Sequence, residues 1–191
     1  MPQKEVTQMK KKKFCIVALI SVLLTGCNMQ SKHIDNPELY GEWESYLKIP
    51  SFLPKSINDY WVNNYSYTLD AYFDICYEIF LDLTVTEDQF TKMISETKAY
   101  QKYYEKEAYY CDGYSEIVFM DFYEVYHREN ETSANVGWAD IEKVIYNSET
   151  LNIIYVCFHA NDTGVYDLDK VAYFNRFSIN EEEYVKNLNQ K

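Results

Sequence analysis

Apolar and polar residues alternate from Tyr65 to Val85. Every odd position in this stretch is apolar, whereas the even positions include four acidic residues, Asp70, Asp74, Glu78 and Asp82. A period of two, rich in aromatic and β-branched residues, predicts β-strand with one buried face. As one strand the stretch would span about 70 Å, far more than strands usually do, so we expect a break near Asp70 to Asp74. We expect the acidic side chains to form a solvated outer face.

A helix is predicted directly after this stretch. Thr86 has the position of an N-cap residue, and Gln89, three residues later, completes a capping box. Apolar residues then recur at helical spacing, which predicts a helix from Glu87 to about Tyr104 that packs on the sheet.

Turn residues divide the rest of the chain into short segments. Asp112-Gly113 predicts a two-residue hairpin turn, and residues 147–150 predict a second turn. The flanking strands are predicted at 108–111, 114–126, 138–146, 151–159 and 171–177. Asn180 with Glu183 then indicates a short C-terminal helix. The sequence thus predicts an α+β fold: a mainly antiparallel sheet built from hairpins, with one inserted helix and a short C-terminal helix.

The N-terminal residues have the order of a secretory signal peptide. Lys10 to Lys13 precede an apolar run from Phe14 to Leu24, and small residues follow just before Cys27. The apolar run is too short to span a bilayer stably. Residues 1–26 are therefore predicted to be removed.

Leu24-Thr25-Gly26-Cys27 resembles the lipobox of bacterial lipoproteins, in which an aliphatic residue, a small residue and Gly or Ala precede an invariant Cys. The resemblance covers residues 9–28 only. It implies that the Cys27 thiol receives a diacylglyceryl group, that the peptide bond before it is cut, and that the new N-terminus is acylated, for example with palmitate. Two or three acyl chains bind a membrane far more firmly than one. We therefore expect a lipid anchor on the extracytoplasmic face of the cell envelope.

Three segments follow from these features. Residues 1–26 are the predicted lipoprotein signal peptide, residues 27–48 a polar tether and lead-in, and residues 49–191 a single α+β domain. Cleavage removes five lysines and one glutamate, which changes the formal net charge from −12 to −16. A surface this acidic repels nucleic-acid phosphates, so we expect no nucleic-acid partner and attachment to the membrane through the acyl chains alone. Cationic peptides, cationic polymers and divalent ions remain admissible partners.

Catalytic and metal-binding patterns are missing from the sequence. It contains no Gly-x-Ser-x-Gly, no phosphate-binding glycine loop and no Cys-x-x-Cys. His127 and His159 have no His or Cys neighbour at metal-ligand spacing, so a zinc site of the usual kind is not expected. Cys157, His159 and Asp162 form a nucleophilic set only on paper, because Cys157 and His159 would lie about 6.6 Å apart on a strand. The acidic loop 161–169 lacks the spacing of an EF-hand. We expect no metal site and no cofactor.

Three cysteines remain after cleavage and lipidation: Cys76, Cys111 and Cys157. An extracytoplasmic compartment permits disulfides, and at most one internal pair is possible. We favour three buried, unpaired thiols, because a free cysteine behaves as a small apolar residue.

Tyrosine is unusually frequent, at 20 of 191 residues. The tyrosines between residues 100 and 114 exceed what one helix face and a small hairpin can bury. We therefore take as ligand-binding candidates Tyr103, Tyr109, Tyr110 and Tyr114. The chain is interpreted as a binding or interaction module for an envelope polymer, peptide or protein. The alternative is an envelope hydrolase that uses carboxylates from separate strands. Carboxylates or a histidine within about 3 to 9 Å of each other in a concave site would favour the enzyme.

Overall fold

A computed structural model describes residues 30–42, 50–71, 75–126, 135–160 and 172–179. Seven strands form one sheet in the order β1-β2-β3-β7-β6-β5-β4. The strands are β1 (Gln30–Ile34), β2 (Trp61–Ala71), β3 (Ile75–Thr84), β4 (Tyr104–Glu107), β5 (Ser115–Tyr126), β6 (Asn135–Asn147) and β7 (Asn152–Ala160). The helices are α1 (Glu87–Tyr100) and α2 (Ala172–Phe177), and a short 3₁₀ turn spans Pro37–Leu39. Neighbouring strands from β2 through to β4 pair antiparallel, which confirms the predicted α+β class with a mainly antiparallel sheet.

The long alternating stretch forms two strands, and the predicted break is confirmed. β2 ends at Ala71, β3 begins at Ile75, and the two pair antiparallel with Tyr67 opposite Ile79. Between Tyr65 and Leu83, the odd positions whose burial is described are buried in one core, apart from partly buried Tyr77. Local alternation therefore predicted this face of the sheet correctly.

The capping box of α1 is also confirmed. The Gln89 amide donates to Thr86 Oγ1 at 3.4 Å, and the Thr86 amide donates to Gln89 Oε1 at 2.9 Å. The helix ends at Tyr100, earlier than predicted, because Gln101 is extended and the chain enters β4 at Tyr104. Within the described part of the chain, neither helix is long and apolar enough to cross a membrane.

Both faces of the sheet are buried. We call the side that packs against α1 and the lead-in residues Phe52 and Leu53 the α1 face, and the side that packs against α2 the α2 face. The solvated outer face predicted for the acidic row is wrong for Glu78 and Asp82, which are almost completely buried on the α2 face. The other two acidic side chains of that row lie outside the described residues.

The central strand β7 shows the two-sided burial most clearly. It lies between β3 and β6, and all of its residues except His159 are buried. Ile153 and Tyr155 belong to the core of the α1 face, whereas Ile154 and Val156 belong to that of the α2 face. A continuous apolar run is the pattern expected of a strand covered on both sides.

Two predicted strands are wrong. Residues 172–177 form helix α2, because Tyr173, Phe174 and Phe177 then pack together on one side of it. Residues 108–111 lie in the connection between β4 and β5, and the strand before that connection is Tyr104–Glu107. Gln30–Ile34, within the predicted tether, forms β1 at the sheet edge, and the predicted helix after Asn180 lies outside the described residues.

The β4–β5 connection spans residues 108–114. Ala108 donates its amide to the Tyr114 carbonyl at 2.9 Å, and Tyr114 donates to Cys111 at 3.2 Å. Asp112 and Gly113 therefore occupy the centre of a tight turn, with Gly113 at a φ of 77°. The turn lies inside a longer connection, in which the Cys111 amide donates to the Ala108 carbonyl at 3.3 Å across Tyr109 and Tyr110.

Candidate functional site

The four candidate tyrosines lie on different sides of the sheet. Tyr103 precedes β4 and packs against Phe119 on the α1 face, with ring centroids 6.5 Å apart. Tyr109, Tyr110 and Tyr114 lie in the β4–β5 connection. The structure therefore brings three of the four together and separates Tyr103 from them.

The three tyrosines of the connection differ in exposure. Tyr110 and Tyr114 are half-buried against Phe177 of α2, at centroid distances of 5.2 and 6.4 Å. Tyr109 is 40% exposed, and its ring meets that of Tyr110 edge-on at 4.9 Å. Tyr109 is thus the outermost ring of an aromatic cluster anchored on α2.

Hydrogen bonds fix the lower rings of this cluster. The Tyr173 hydroxyl donates to the Tyr110 hydroxyl at 2.8 Å, and the Tyr114 hydroxyl donates to Asn152 Oδ1 at 3.0 Å. Both bonds connect the β4–β5 connection to distant parts of the chain. The aromatic surface around Tyr109 therefore has a rigid base.

A buried ionic cluster lies on the α2 face, beside these aromatic rings. Lys106 Nζ is 3.1 Å from a Glu116 oxygen and 3.4 Å from an Asp121 oxygen. Lys143 Nζ is 3.7 and 3.4 Å from the other oxygens of the same two carboxylates. Lys143 and Glu116 have no exposed side-chain area at all. The four side chains form a charge-balanced quartet, which we call the ionic cluster.

Helix α2 covers the ionic cluster through Tyr173. Lys143 Nζ donates to the Tyr173 hydroxyl at 3.3 Å and lies 5.2 Å from the centre of that ring. Burial tends to lower the pKa of Lys106, but the adjacent carboxylates of Glu116 and Asp121 outweigh burial and raise the pKa. Because its charges pair with one another and Lys143 also contacts Tyr173 of α2, the cluster is suited to holding the sheet and α2 together.

The buried acidic residues of β3 also hold α2. Asp82 accepts hydrogen bonds from Asn63 Nδ2 at 2.8 Å, Asn152 Nδ2 at 2.7 Å and Arg176 Nε at 3.2 Å. Glu78 accepts from the first two backbone amides of α2, each at 3.1 Å. Desolvation raises the pKa of Glu78 to about 7, although the two amide donors act to lower it.

A cluster of partly exposed polar side chains lies on the α1 face of the sheet. His159 Nδ1 is 2.5 Å from Asp140 Oδ1, and the Tyr77 ring stacks on the imidazole with centroids 5.6 Å apart. Glu142 lies on the same face two residues after Asp140. Burial, and secondly the charge of Asp140, raise the pKa of the Glu142 carboxyl.

The nucleophilic set of Cys157, His159 and Asp162, which the spacing on a strand disfavours, gains no support from the described residues. His159 contacts Asp140, and the proposed third member, Asp162, lies outside the described residues. Burial holds the pKa of the Cys157 thiol well above its usual value, so that it stays protonated. Cys157 is an inert core thiol, and Cys111 is likewise a free thiol.

Two large apolar side chains border this polar group. Met120 and Phe122 on β5 are 43% and 49% exposed, and their register partners on β6 are Glu142 and Asp140. The described residues contain no cluster of three or more His, Cys, Asp or Glu side chains arranged to hold a metal ion. The lipidation candidate, Cys27, lies outside the described residues.

Sequence reasoning missed the ionic cluster. Lys143 and Glu116 occupy alternate positions on predicted strands, where a polar residue ordinarily faces solvent. The run Ile153–Phe158 was the available signal, because an uninterrupted apolar strand indicates that both sheet faces are covered.

No protein-family model matches the chain, and no curated protein or solved structure is significantly similar to it. Its function has to be argued from its own residues.

Proposed function

We propose that the chain is a lipid-anchored extracytoplasmic binding module, attached to the membrane through Cys27, that binds an envelope polymer, peptide or protein through the aromatic surface around Tyr109. The observation that carries this proposal is the exposed Tyr109 ring resting on the fixed Tyr110 ring. A rigid tyrosine offers contact area and a polar hydroxyl at little cost in conformational entropy. The proposal keeps the predicted β4–β5 hairpin as the element that presents this surface.

The anchor is supported by the order of residues Lys10 to Cys27. Replacing Cys27 by Ala should move the protein out of the membrane fraction or leave it as an uncleaved precursor without lipid. Cys15→Ala is the matched control, because it removes a cysteine from the predicted signal segment and should leave anchoring unchanged. An intact mass of the membrane-extracted wild type that shows no acyl group on Cys27 would contradict the anchor.

The binding surface is tested by a thermal-shift screen of the purified chain against glycans, peptides and ions. A ligand that binds only the native state raises the melting temperature by mass action. Tyr109→Ala should abolish the shift caused by a ligand that binds the aromatic surface. Trp61→Ala, which removes an aromatic ring that is 75% exposed on β2, should leave it unchanged. Equal effects of the two variants would show that the ligand binds elsewhere.

One observation favours the second candidate, an envelope hydrolase. His159 contacts Asp140, and the raised pKa of nearby Glu142 is typical of a general acid. Both carboxylates lie on β6, whereas the hydrolase hypothesis expected them on separate strands. A screen of envelope glycans and peptides for hydrolysis that His159→Gln abolishes, and Tyr109→Ala does not, would favour this candidate over the binding module.

A further inference from the structure

The outer edge of β5 extends far beyond β4. β4 pairs with Ser115 to Val118 only, whereas β5 continues to Tyr126. Among the described residues, no strand pairs with the outer edge of β5 from Phe119 to Tyr126. On an antiparallel strand about half of the residues in such a segment direct their backbone amide and carbonyl groups toward the edge. These eight residues therefore offer a template about 26 Å long for another strand.

A β-bulge in β5 lies where its pairing with β4 ends. The register of β5 against β6 shifts between Val118 and Met120, so that Phe119 is an extra residue. Phe119 stacks on Phe52 with ring centroids 4.8 Å apart, which holds the bulge against the α1-face core. The last pair between β4 and β5 joins Tyr104 and Val118, immediately before the bulge.

Apolar side chains accompany the edge where it is open. Met120 and Phe122 lie on the same face because their partners, Glu142 and Asp140, are two residues apart on β6. This arrangement suits recognition of a peptide that adds to the sheet as a further strand. The backbone hydrogen bonds of such a peptide give affinity, and contacts with every second side chain give specificity.

Acidic residues near the outer edge of β5 favour a cationic partner. Glu142 and Asp140 are the register partners of Met120 and Phe122 on β6, so both acidic residues lie on the same face as the two exposed apolar side chains. The whole chain carries a formal charge of −12. A second copy of the chain would bring the same acidic groups together, whereas a cationic peptide would be attracted to them.

We propose that an extended cationic peptide adds to the sheet along the outer edge of β5, from Phe119 to Tyr126 and in line with β4. Its backbone pairs with β5, and the stems of its lysine or arginine side chains lie on Met120 and Phe122 with their charges directed toward the carboxylates of β6. This peptide site is separate from the aromatic surface around Tyr109, so the inference goes beyond the binding function proposed above and names the chemical class of a second ligand.

The test uses the full-length chain in non-ionic detergent and a labelled peptide of about eight alternating lysine and valine residues, which matches the open edge in length. Fluorescence anisotropy should report saturable binding that weakens with salt. The same peptide with N-methyl groups at alternate residues should not bind, because it lacks the backbone donors. A peptide in which glutamate replaces lysine should not bind either.

Variants locate the site. Phe122→Thr keeps a residue that favours strands and should weaken binding at least about tenfold, equivalent to about 1.4 kcal/mol. Trp61→Thr, an exposed aromatic change on β2, should not alter it. Hydrogen exchange should slow on binding at alternate amides of residues 119–126.

Three outcomes would overturn the proposal. Equal binding of the N-methylated peptide would show electrostatic attraction without strand addition. A concentration-dependent dimer that Phe122→Thr disrupts would assign the edge to a second copy of the chain. If no peptide binds while the thermal-shift screen yields a ligand lost in Tyr109→Ala, this inference fails and the binding function stands; if neither assay yields a ligand, both fail.

Discussion

Replacing Glu78 by Gln should make the stability of the protein less dependent on pH. The Glu78 carboxylate lies beneath α2, almost completely buried, and accepts hydrogen bonds from the amides of Ala172 and Tyr173. Burial raises its pKa in the folded state from 4.5 to about 7. Gln retains the size and one acceptor oxygen but does not ionise.

The sign follows from the raised pKa of Glu78. The folded state holds the proton more tightly than the unfolded chain, so this stabilisation is fully present below about pH 4.5 and is lost as the pH rises through about 7. We take the pKa of Glu78 as 4.5 in the unfolded chain and about 7 in the folded protein. The unfolding free energy of the wild type should then fall by about 2 kcal/mol, relative to that of the Gln variant, as the pH rises from about 5.5 to 8.5.

Urea unfolding of both proteins at several pH values gives the difference between their unfolding free energies. The protonation of groups that both proteins share contributes equally to the two values and cancels in this difference. Glu149→Gln, in the exposed β6–β7 turn, controls for the loss of one formal charge. A difference between wild type and Glu78→Gln that stays constant, or that moves in favour of the wild type as pH rises, would refute the reasoning. The latter result would mean that the two amides of α2 outweigh desolvation.

Three further changes probe the packing. Lys143→Met should lower the unfolding free energy by about 3 to 5 kcal/mol in urea titrations, because two buried carboxylates then share one lysine; a loss under about 1 kcal/mol would show that the ionic cluster is solvated. Gly113→Ala should cost about 1 to 2 kcal/mol, since the residue has a φ of 77° and a Cβ would approach Asn147 Nδ2 to 3.2 Å; an unchanged midpoint would mean that the turn relaxes freely. Tyr110→Ala should cost about 2 kcal/mol through its lost packing and its hydrogen bond from Tyr173, and a neutral result would place the ring in solvent.

Local signals predicted the elements that local interactions determine. Thr86 and Gln89 cap α1 through groups three residues apart, so the helix start is readable from the sequence. The break between β2 and β3 followed from the limited length of strands. Helix α2, which depends on distant contacts, was mispredicted as a strand.

Helix α2 shows why. Its aromatic residues have an intrinsic preference for strands. Its first backbone amide, that of Ala172, donates a hydrogen bond to Glu78, which lies 94 residues earlier in the chain. The burial of Glu78 and Asp82 was mispredicted for a similar reason, because α2, which covers them, comes much later in the chain. Alternation shows that the two faces of a strand differ, but it does not show that the polar face is exposed. For the candidate site, composition drew attention to the tyrosines, but only packing against Phe177 separates exposed Tyr109 from supported Tyr110.

The place of β7 constrains how this protein is made. Asn152–Ala160 is the last strand of the described chain, yet it fills the centre of the sheet and joins β3 to β6. Until those residues leave the ribosome or a translocation pore, the earlier strands lack the neighbour that completes both cores. Pairing β3 with β7 closes a loop of some seventy residues, a non-local step of the kind that folds slowly. A chain that emerges N-terminus first would therefore complete its two cores only after its last described strand has appeared.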